Sequence, residues 1–183
     1  MITINTSRFG VIEVEEAETI ELPKGIIGFP ELKKFILLDH EKDSPFKWLQ
    51  SLEDAAIAFV LINPLLFKPD YTVEVTELEV GDLGIEQEED AVISVIITVP
   101  ANPKNMTANL KAPLIFNLKN RKGKQLILND AALTTRHNIL DEMKRNLEKK
   151  DQEAVKNIIE TAKDQKEERQ KQSEAVKVVG QEK

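Results

Sequence analysis

The chain has 183 residues, of which 41% are hydrophobic and 31% charged, and its formal net charge is -7. This length suits one domain of about 100 to 150 residues with an added segment, and no run of about 18 apolar residues is present that could cross a bilayer. Cysteine is absent, which excludes disulfides, thiolate nucleophiles and cysteine-ligated zinc.

The charge is distributed unevenly along the chain. Residues 1–90 hold 20 acidic and 7 basic side chains, whereas residues 91–140 hold 7 basic side chains and a single acidic one. Residues 141–183 carry 11 of each sign. An acidic majority opposes binding to phosphate backbones and favours attraction to basic protein surfaces, within a screening length of about 8 Å. We therefore expect a basic protein partner. A cytoplasmic location is also expected, because the first residues lack the basic and apolar regions of a secretory signal.

Short β-strands separated by turn signals are predicted over the first 128 residues. Gly81–Asp90 is predicted to be a loop or a single helical turn, and Arg121–Lys124 to be the turn of the last hairpin. Many short strands at even spacing are typical of a small antiparallel β-barrel or a sandwich-like pseudobarrel, so the fold class is mainly β. In chain order, the expected strands cover residues 3–4, 10–15, 19–22, 35–39, 46–51, 56–62, 71–80, 91–99, 107–110, 113–118 and 125–128.

The composition changes after about Thr135. Apolar residues recur at helical spacing from Ile139 to Ala162, which predicts a helix with an interruption near residues 149–151. Beyond Ala162 the sequence has no apolar face and is expected to be a solvated helix or disordered. We therefore expect a β-domain at residues 1–139 and a charged helical or partly disordered extension at residues 140–183.

Few residues offer catalytic chemistry. The only histidines, His40 and His137, are far apart in the sequence and are expected to be exposed, so a two-histidine metal site is disfavoured. No nucleophile elbow and no glycine-rich phosphate loop are present. We expect no enzyme, no metal and no cofactor. The alternative is a β-barrel that binds a small molecule or carbohydrate with buried carboxylates, which would have a deep pocket and carboxyl groups of raised pKa.

The acidic segment, residues 74–90, is the densest run of carboxylates. It is either a solvated surface that protects an edge strand or a docking patch for a basic partner, with Leu83 or Ile85 exposed as an apolar anchor. The predicted partner-binding residues are Glu74, Glu77, Glu79, Asp82, Leu83, Ile85, Glu86, Glu88, Glu89 and Asp90.

Basic residues are concentrated after residue 100, where short basic turns could contact phosphates. Trp48 and Tyr71 are the only large aromatic residues besides phenylalanine, so a stacking platform for bases is poorly supported. We expect no direct nucleic-acid binding. A nucleic-acid barrel would instead place the basic turn around Lys122 on the same face as exposed aromatic rings. The basic residues are Lys104, Lys111, Lys119, Arg121, Lys122 and Lys124.

Several segments, taken together and in order, resemble the FliW family of flagellar assembly factors over residues 1 to about 139. The resemblance implies a small antiparallel β-barrel that binds two proteins in turn: flagellin and the RNA-binding translational repressor CsrA. Family members released from flagellin capture CsrA, so that flagellin synthesis follows its secretion. No cofactor, membrane or direct nucleic-acid contact is implied, and the oligomeric state stays open. The matching segments are Gly25–Pro30, Pro45–Ser51, Ile62–Pro64, Thr107–Asn117 and Gly123–Leu128.

Overall fold

Short strands broken by turns make up most of the first of two units, Met1–Glu142, and the second unit is Met143–Lys183. The computed structural model describes residues 1–39 and 41–179, with side chains at 1–39, 41–157 and 159–160. His40 lies outside the described residues. The helices are α1 (Glu77–Val80) and α2 (Ile139–Val179). The strands are β1 (Ile2–Thr6), β2 (Gly10–Val14), β3 (Ile20–Glu21), β4 (Lys34–Asp39), β5 (Phe46–Ser51), β6 (Ala58–Ile62), β7 (Ala91–Thr98), β8 (Thr107–Ala108), β9 (Leu114–Asn117), β10 (Lys122–Gln125) and β11 (His137–Asn138).

A ring of strands forms the body of this unit. Neighbours follow the order β7, β6, β5, β4, β3, β10 and β9, and β9 pairs back with β7. The pairs are antiparallel except for β10 with β3, which is parallel. Strands β8 and β11 extend from β7, and β1 and β2 form a separate hairpin. The predicted mainly β fold, a small barrel with a C-terminal helix, is confirmed.

The barrel interior is filled by side chains that alternate along the ring strands. Phe35, Leu49, Leu61 and Phe116, from four different strands, have at most 1% of their surface exposed and form one cluster. The intervening residues face outwards, where longer connections cover part of them. The outer clusters comprise Ile62, Phe67, Tyr71, Val95 and Ile97 on one side, and Leu83, Ile115 and Leu126 on another.

The connection between β3 and β4, residues 22–33, contains a tight turn. Ile26 and Phe29 exchange backbone hydrogen bonds, with N···O distances of 3.3 and 2.7 Å. Gly25 and Gly28 have φ angles of 66° and 91°, in the region that glycine adopts without steric cost. Ile27 at the tip of the turn is 57% exposed, and its N–H donates to Gln125 Oε1 at 2.8 Å. The turn is thereby tied to the end of β10.

The expected strand at residues 71–80 is wrong. Residues 71–76 belong to no strand, and residues 77–80 form α1. A capping box starts this helix, because the Thr76 N–H donates to Glu79 Oε2 at 2.8 Å. This local bonding overrides the alternation of apolar and polar residues that indicated a strand.

The expected last hairpin is displaced. The strand is β10, Lys122–Gln125, whereas residues 125–128 were expected, and the turn spans residues 118–121. Two asparagines shape this turn: Asn117 Oδ1 accepts from the Lys119 N–H, and Asn120 Oδ1 accepts from the Lys122 N–H. Arg121 takes a φ of 58°. Asparagine side chains that bond to nearby backbone favour turns, and they move the turn towards the N-terminus.

Helix α2 is continuous through residues 149–151, so the expected interruption is wrong. No Gly or Pro lies between Ile139 and Val179 to break it. Three apolar side chains of the second unit, Leu147, Val155 and Ile159, are 64%, 55% and 49% exposed. Among the described residues, no helix is long and apolar enough to cross a membrane.

Candidate protein-binding surface

The acidic segment is anchored to the outside of the barrel by Leu83. A 3-10 turn at Gly81–Leu83 directs this side chain against Ile115 and Leu126, so that only 2% of Leu83 is exposed. The prediction that Leu83 is an exposed anchor is therefore wrong. Ile85 is half-buried and packs against the same cluster.

An exposed apolar side chain is nevertheless present in the segment. Leu78 lies in α1 between Glu77 and Glu79 and is 97% exposed. Sequence reasoning missed it, because residues 71–80 were interpreted as a strand. The threonine three residues before Glu79 is the signal that could have identified a helix start.

Two predicted binding residues are paired within the domain. The Lys124 ammonium lies 3.0 and 3.1 Å from the two carboxylate oxygens of Asp82, and it also donates to the Glu79 carbonyl. The Lys119 ammonium lies 2.8 Å from Asp90 Oδ2, and Asp90 is only 9% exposed. Asp82 and Asp90 therefore attach the segment to the β9–β10 hairpin, and the expectation that Asp90 faces a partner is wrong.

Side-chain amides of the same hairpin complete this attachment. Asn117 Nδ2 donates to the carbonyl oxygens of Leu83 and Gly84, both at 3.0 Å, and Asn120 Nδ2 donates to that of Leu83 at 2.7 Å. Asn117 is 2% exposed, and its bond to the Leu83 carbonyl is shielded from water. Residues 82–84 and 90 of the segment are thus attached to the barrel by bonds within the domain.

An apolar groove of about 600 Å³ lies beside these charges. Its lining combines side chains of residues 71–75, α1 and residues 85–88 with outward-facing residues of the barrel strands. Acidic residues form part of its rim. The lining includes Val73, Val75, Val80, Ile85, Ile93, Ile115, Glu86 and Glu88. Apolar surface bordered by charge is typical of protein-binding sites.

Hydrogen bonds keep part of the acidic segment ionised. The Lys124 ammonium lowers the pKa of Asp82, and the backbone and hydroxyl of Thr76 lower the pKa of Glu79. Glu74, Glu77, Glu86, Glu88 and Glu89 are exposed. The surface that a partner would meet is strongly negative at neutral pH.

Replacing Lys124 with methionine is expected to lower the free energy of unfolding by about 1 to 3 kcal/mol, because the substitution leaves the Glu79 carbonyl without its donor. Urea denaturation at pH 7 measures this loss. Lys122→Met, on the same strand but exposed, is the matched control and should change stability by less than about 0.5 kcal/mol. Equal losses in the two variants would contradict a specific role for Lys124.

The Asp82–Lys124 pair should also make stability depend on pH. Because the pKa of Asp82 is lowered on folding, its contribution is present above the unfolded pKa of about 4 and is lost as pH falls through the lowered value. The contribution is small, since Asp82 is half exposed. The acid-induced decrease in stability should be smaller for Lys124→Met than for the Lys122→Met control.

The alternative of a binding site with buried carboxylates finds little support. The buried carboxylates Asp90 and Glu142 both lie next to cations, and the carboxyl pKa values that shift clearly, those of Glu53, Glu79 and Asp82, are lowered rather than raised. Among the described residues, no group of three or more His, Cys, Asp or Glu side chains could hold a metal.

The cations of the basic turn divide into paired and exposed groups, and the expected exposure of His137 is wrong. Lys119 and Lys124 of the basic turn are paired with the acidic segment, whereas Arg121 and Lys122 are exposed. His137 is partly buried, and its Nε2 lies 3.0 Å from Glu142 Oε2.

Comparisons with known proteins give one consistent result. The model of the family described as "FliW protein" matches residues 3–140. A flagellar assembly factor FliW from Alkaliphilus metalliredigens is 45% identical over 150 residues, which cover 81% of this chain and 93% of that protein. One from Thermoanaerobacter pseudethanolicus is 46% identical over 142 residues, covering 77% and 95%. The crystal structure of a flagellar assembly factor FliW superposes with a TM-score of 0.71 at 37% identity, covering 75% of this chain and 96% of that one.

Proposed function

The chain belongs to the FliW family of flagellar assembly factors, and we propose that it binds the translational repressor CsrA and, in turn, flagellin in the cytoplasm. Binding to CsrA would relieve repression of flagellin mRNA translation, and binding to flagellin would make the protein a chaperone for it. Neither step makes or breaks a covalent bond, so we infer no catalytic role and no cofactor.

The acidic segment is the proposed contact for CsrA. The observation that carries this assignment is the group of exposed glutamates around an apolar groove and the almost fully exposed Leu78. A protein that binds RNA needs a basic surface to neutralise phosphates. Complementary charge accelerates association with such a surface, and an apolar side chain at its centre supplies affinity.

The negative charge also suggests how repression is relieved. Carboxylates held within about 8 Å of an RNA-binding surface repel phosphates without occupying the surface itself. The attachment of the segment to the β9–β10 hairpin through Lys124 and Asn117 fixes where these charges lie. We therefore propose that CsrA in the complex loses RNA affinity mainly through electrostatic repulsion.

Flagellin binding is proposed from family membership alone, and no residue is assigned to it.

Titration of the full chain with purified CsrA and, separately, with flagellin tests this proposal. Each titration is carried out at about 50 mM and about 300 mM salt, because screening weakens exposed charge pairs over this range. We expect both proteins to bind and the CsrA affinity to fall by at least about tenfold at the higher salt. If neither CsrA nor flagellin binds, the proposed function is refuted. Salt-independent binding of CsrA would refute the role of the acidic segment alone.

A further inference from the structure

A second groove opens where β6 and β7 separate. The ladder between these strands joins Ile62 to Val95 and ends at Val60 with Ile97. The groove has a volume of about 620 Å³, and residues of both strands line it.

Beyond the pair of Val60 with Ile97, the edges of β6 and β7 that face each other across the groove are not paired. The Ser51 N–H donates to the Ile57 carbonyl, so the odd-numbered residues of β6 bond to β5 and the even-numbered residues point their backbone groups towards β7. Ala58 and Val99 would form the next hydrogen-bonded pair of the β6–β7 ladder. They are not joined, and in the described part of the chain no other strand pairs with these edges.

Apolar side chains cover the floor and walls of the groove. Phe46, Trp48 and Val60 are half-buried there, and Val99 is 52% exposed. Met106 also lines the groove. Partly exposed aromatic and aliphatic side chains next to free strand edges are the features that protein domains use when they bind an extended peptide as an additional strand.

One cation lies in this groove. The guanidinium carbon of Arg8 is 4.5 Å from the centre of the Trp48 ring, against which Phe9 also packs edge-on at 5.5 Å. Arg8 is exposed, and none of the ion pairs formed by the described residues involves it. Stacking on an aromatic ring holds a guanidinium in place and leaves its N–H groups available for a carboxylate.

We propose that this groove binds an extended segment of a partner protein that carries apolar side chains and an aspartate or glutamate. The backbone of the segment pairs with Ala58 and Val99, its apolar side chains pack on Trp48 and Phe46, and its carboxylate binds Arg8. The chemistry is opposite to that of the acidic segment, which attracts basic surfaces. This inference goes beyond the proposed function, because it assigns a second binding site formed by different residues and with the opposite charge preference.

Trp48 offers a direct readout, because it is the only tryptophan in the chain. The probe is a synthetic peptide of about six residues that alternates valine and threonine around one central glutamate. A second peptide carries lysine in place of the glutamate, and a third carries N-methyl groups on the backbone nitrogens. Each is titrated into the full chain while Trp48 fluorescence is recorded.

We expect the glutamate peptide to shift Trp48 emission saturably and to bind at least about tenfold more tightly than the lysine peptide. N-methylation should abolish binding, since it removes the backbone donors that strand pairing needs. Arg8→Glu should reverse the preference between the glutamate and lysine peptides. Arg136→Glu, which changes an exposed arginine outside the groove, should leave the preference unchanged.

Three results would overturn the proposal. The first is no saturable change with the glutamate peptide up to about 1 mM, a concentration at which even weak binding is detected. The second is equal binding of the glutamate and lysine peptides, or an unchanged preference in Arg8→Glu. The third is a Trp48 emission that shifts with protein concentration alone, which would identify a second copy of the chain as the occupant. None of these results depends on whether CsrA or flagellin binds.

Discussion

Simultaneous replacement of Glu86, Glu88 and Glu89 by lysine is expected to weaken binding to CsrA by about 10- to 100-fold at low salt. All three side chains are exposed in the acidic segment, and each exposed charge pair contributes about 0.2 to 1 kcal/mol. Reversal removes three attractions and adds three repulsions, and six contributions in the lower half of this range, about 0.23 to 0.47 kcal/mol each, give about 1.4 to 2.8 kcal/mol. Titration calorimetry with wild-type and variant protein measures the difference directly.

The matched control is the triple replacement of Glu13, Glu16 and Glu31 by lysine. These residues are also exposed but lie outside the acidic segment, and the control changes the net charge by the same amount. If only overall charge attracts CsrA, the two triple variants will lose affinity equally. A local docking site predicts a loss of less than about threefold in the control, and the difference between the variants should shrink at high salt.

Replacement of Gly25 by alanine is expected to destabilise the barrel by about 3 kcal/mol. A Cβ at this position would lie 2.5 Å from the carbonyl oxygen of Phe29 and 2.9 Å from Pro30 Cα, and neither backbone atom can move without opening the turn. The φ of 66° adds a cost for any residue with a side chain. Strain and overpacking each cost about 1 to 3 kcal/mol. Urea denaturation, followed by fluorescence or circular dichroism, measures the loss.

Gly10 provides the control for this substitution. It has the same φ of 66°, but a Cβ added there would meet no atom within 4 Å. Gly10→Ala therefore includes the backbone strain without the clash, and a loss of about 1 kcal/mol is expected. Losses of similar size at Gly10 and Gly25 would show that the close approach of the Phe29 backbone has little energetic consequence.

Alternation of apolar and polar residues was sufficient to predict most of the barrel strands, because each strand has one face towards the interior. It failed at residues 71–80, where Thr76 and Glu79 cap a helical turn, and at residues 122–125, where two asparagines shift the turn. In both places a side chain bonds to the nearby backbone. Such local bonds do not change the apolar pattern and are therefore invisible to it.

The candidate site was only partly predictable. The density of carboxylates in residues 74–90 is apparent from the sequence. Which of these carboxylates are exposed and which are paired within the domain is not. Lys124 follows Asp82 by 42 residues, and only the closed barrel brings them together. The groove beside Arg8 was missed entirely, because the separation of β6 from β7 depends on where a ladder ends.

The closure of the ring has a consequence for synthesis of the protein. Strands β9 and β10, residues 114–125, complete the ring by pairing with β7 and β3, and the β3–β10 pair joins residues about 100 positions apart in the chain. Such distant pairings form late during folding. While the ribosome is still translating the last third of the barrel, one edge of β3 and one of β7 stay unpaired on the nascent chain. During this interval the chain is most exposed to aggregation through its strand edges.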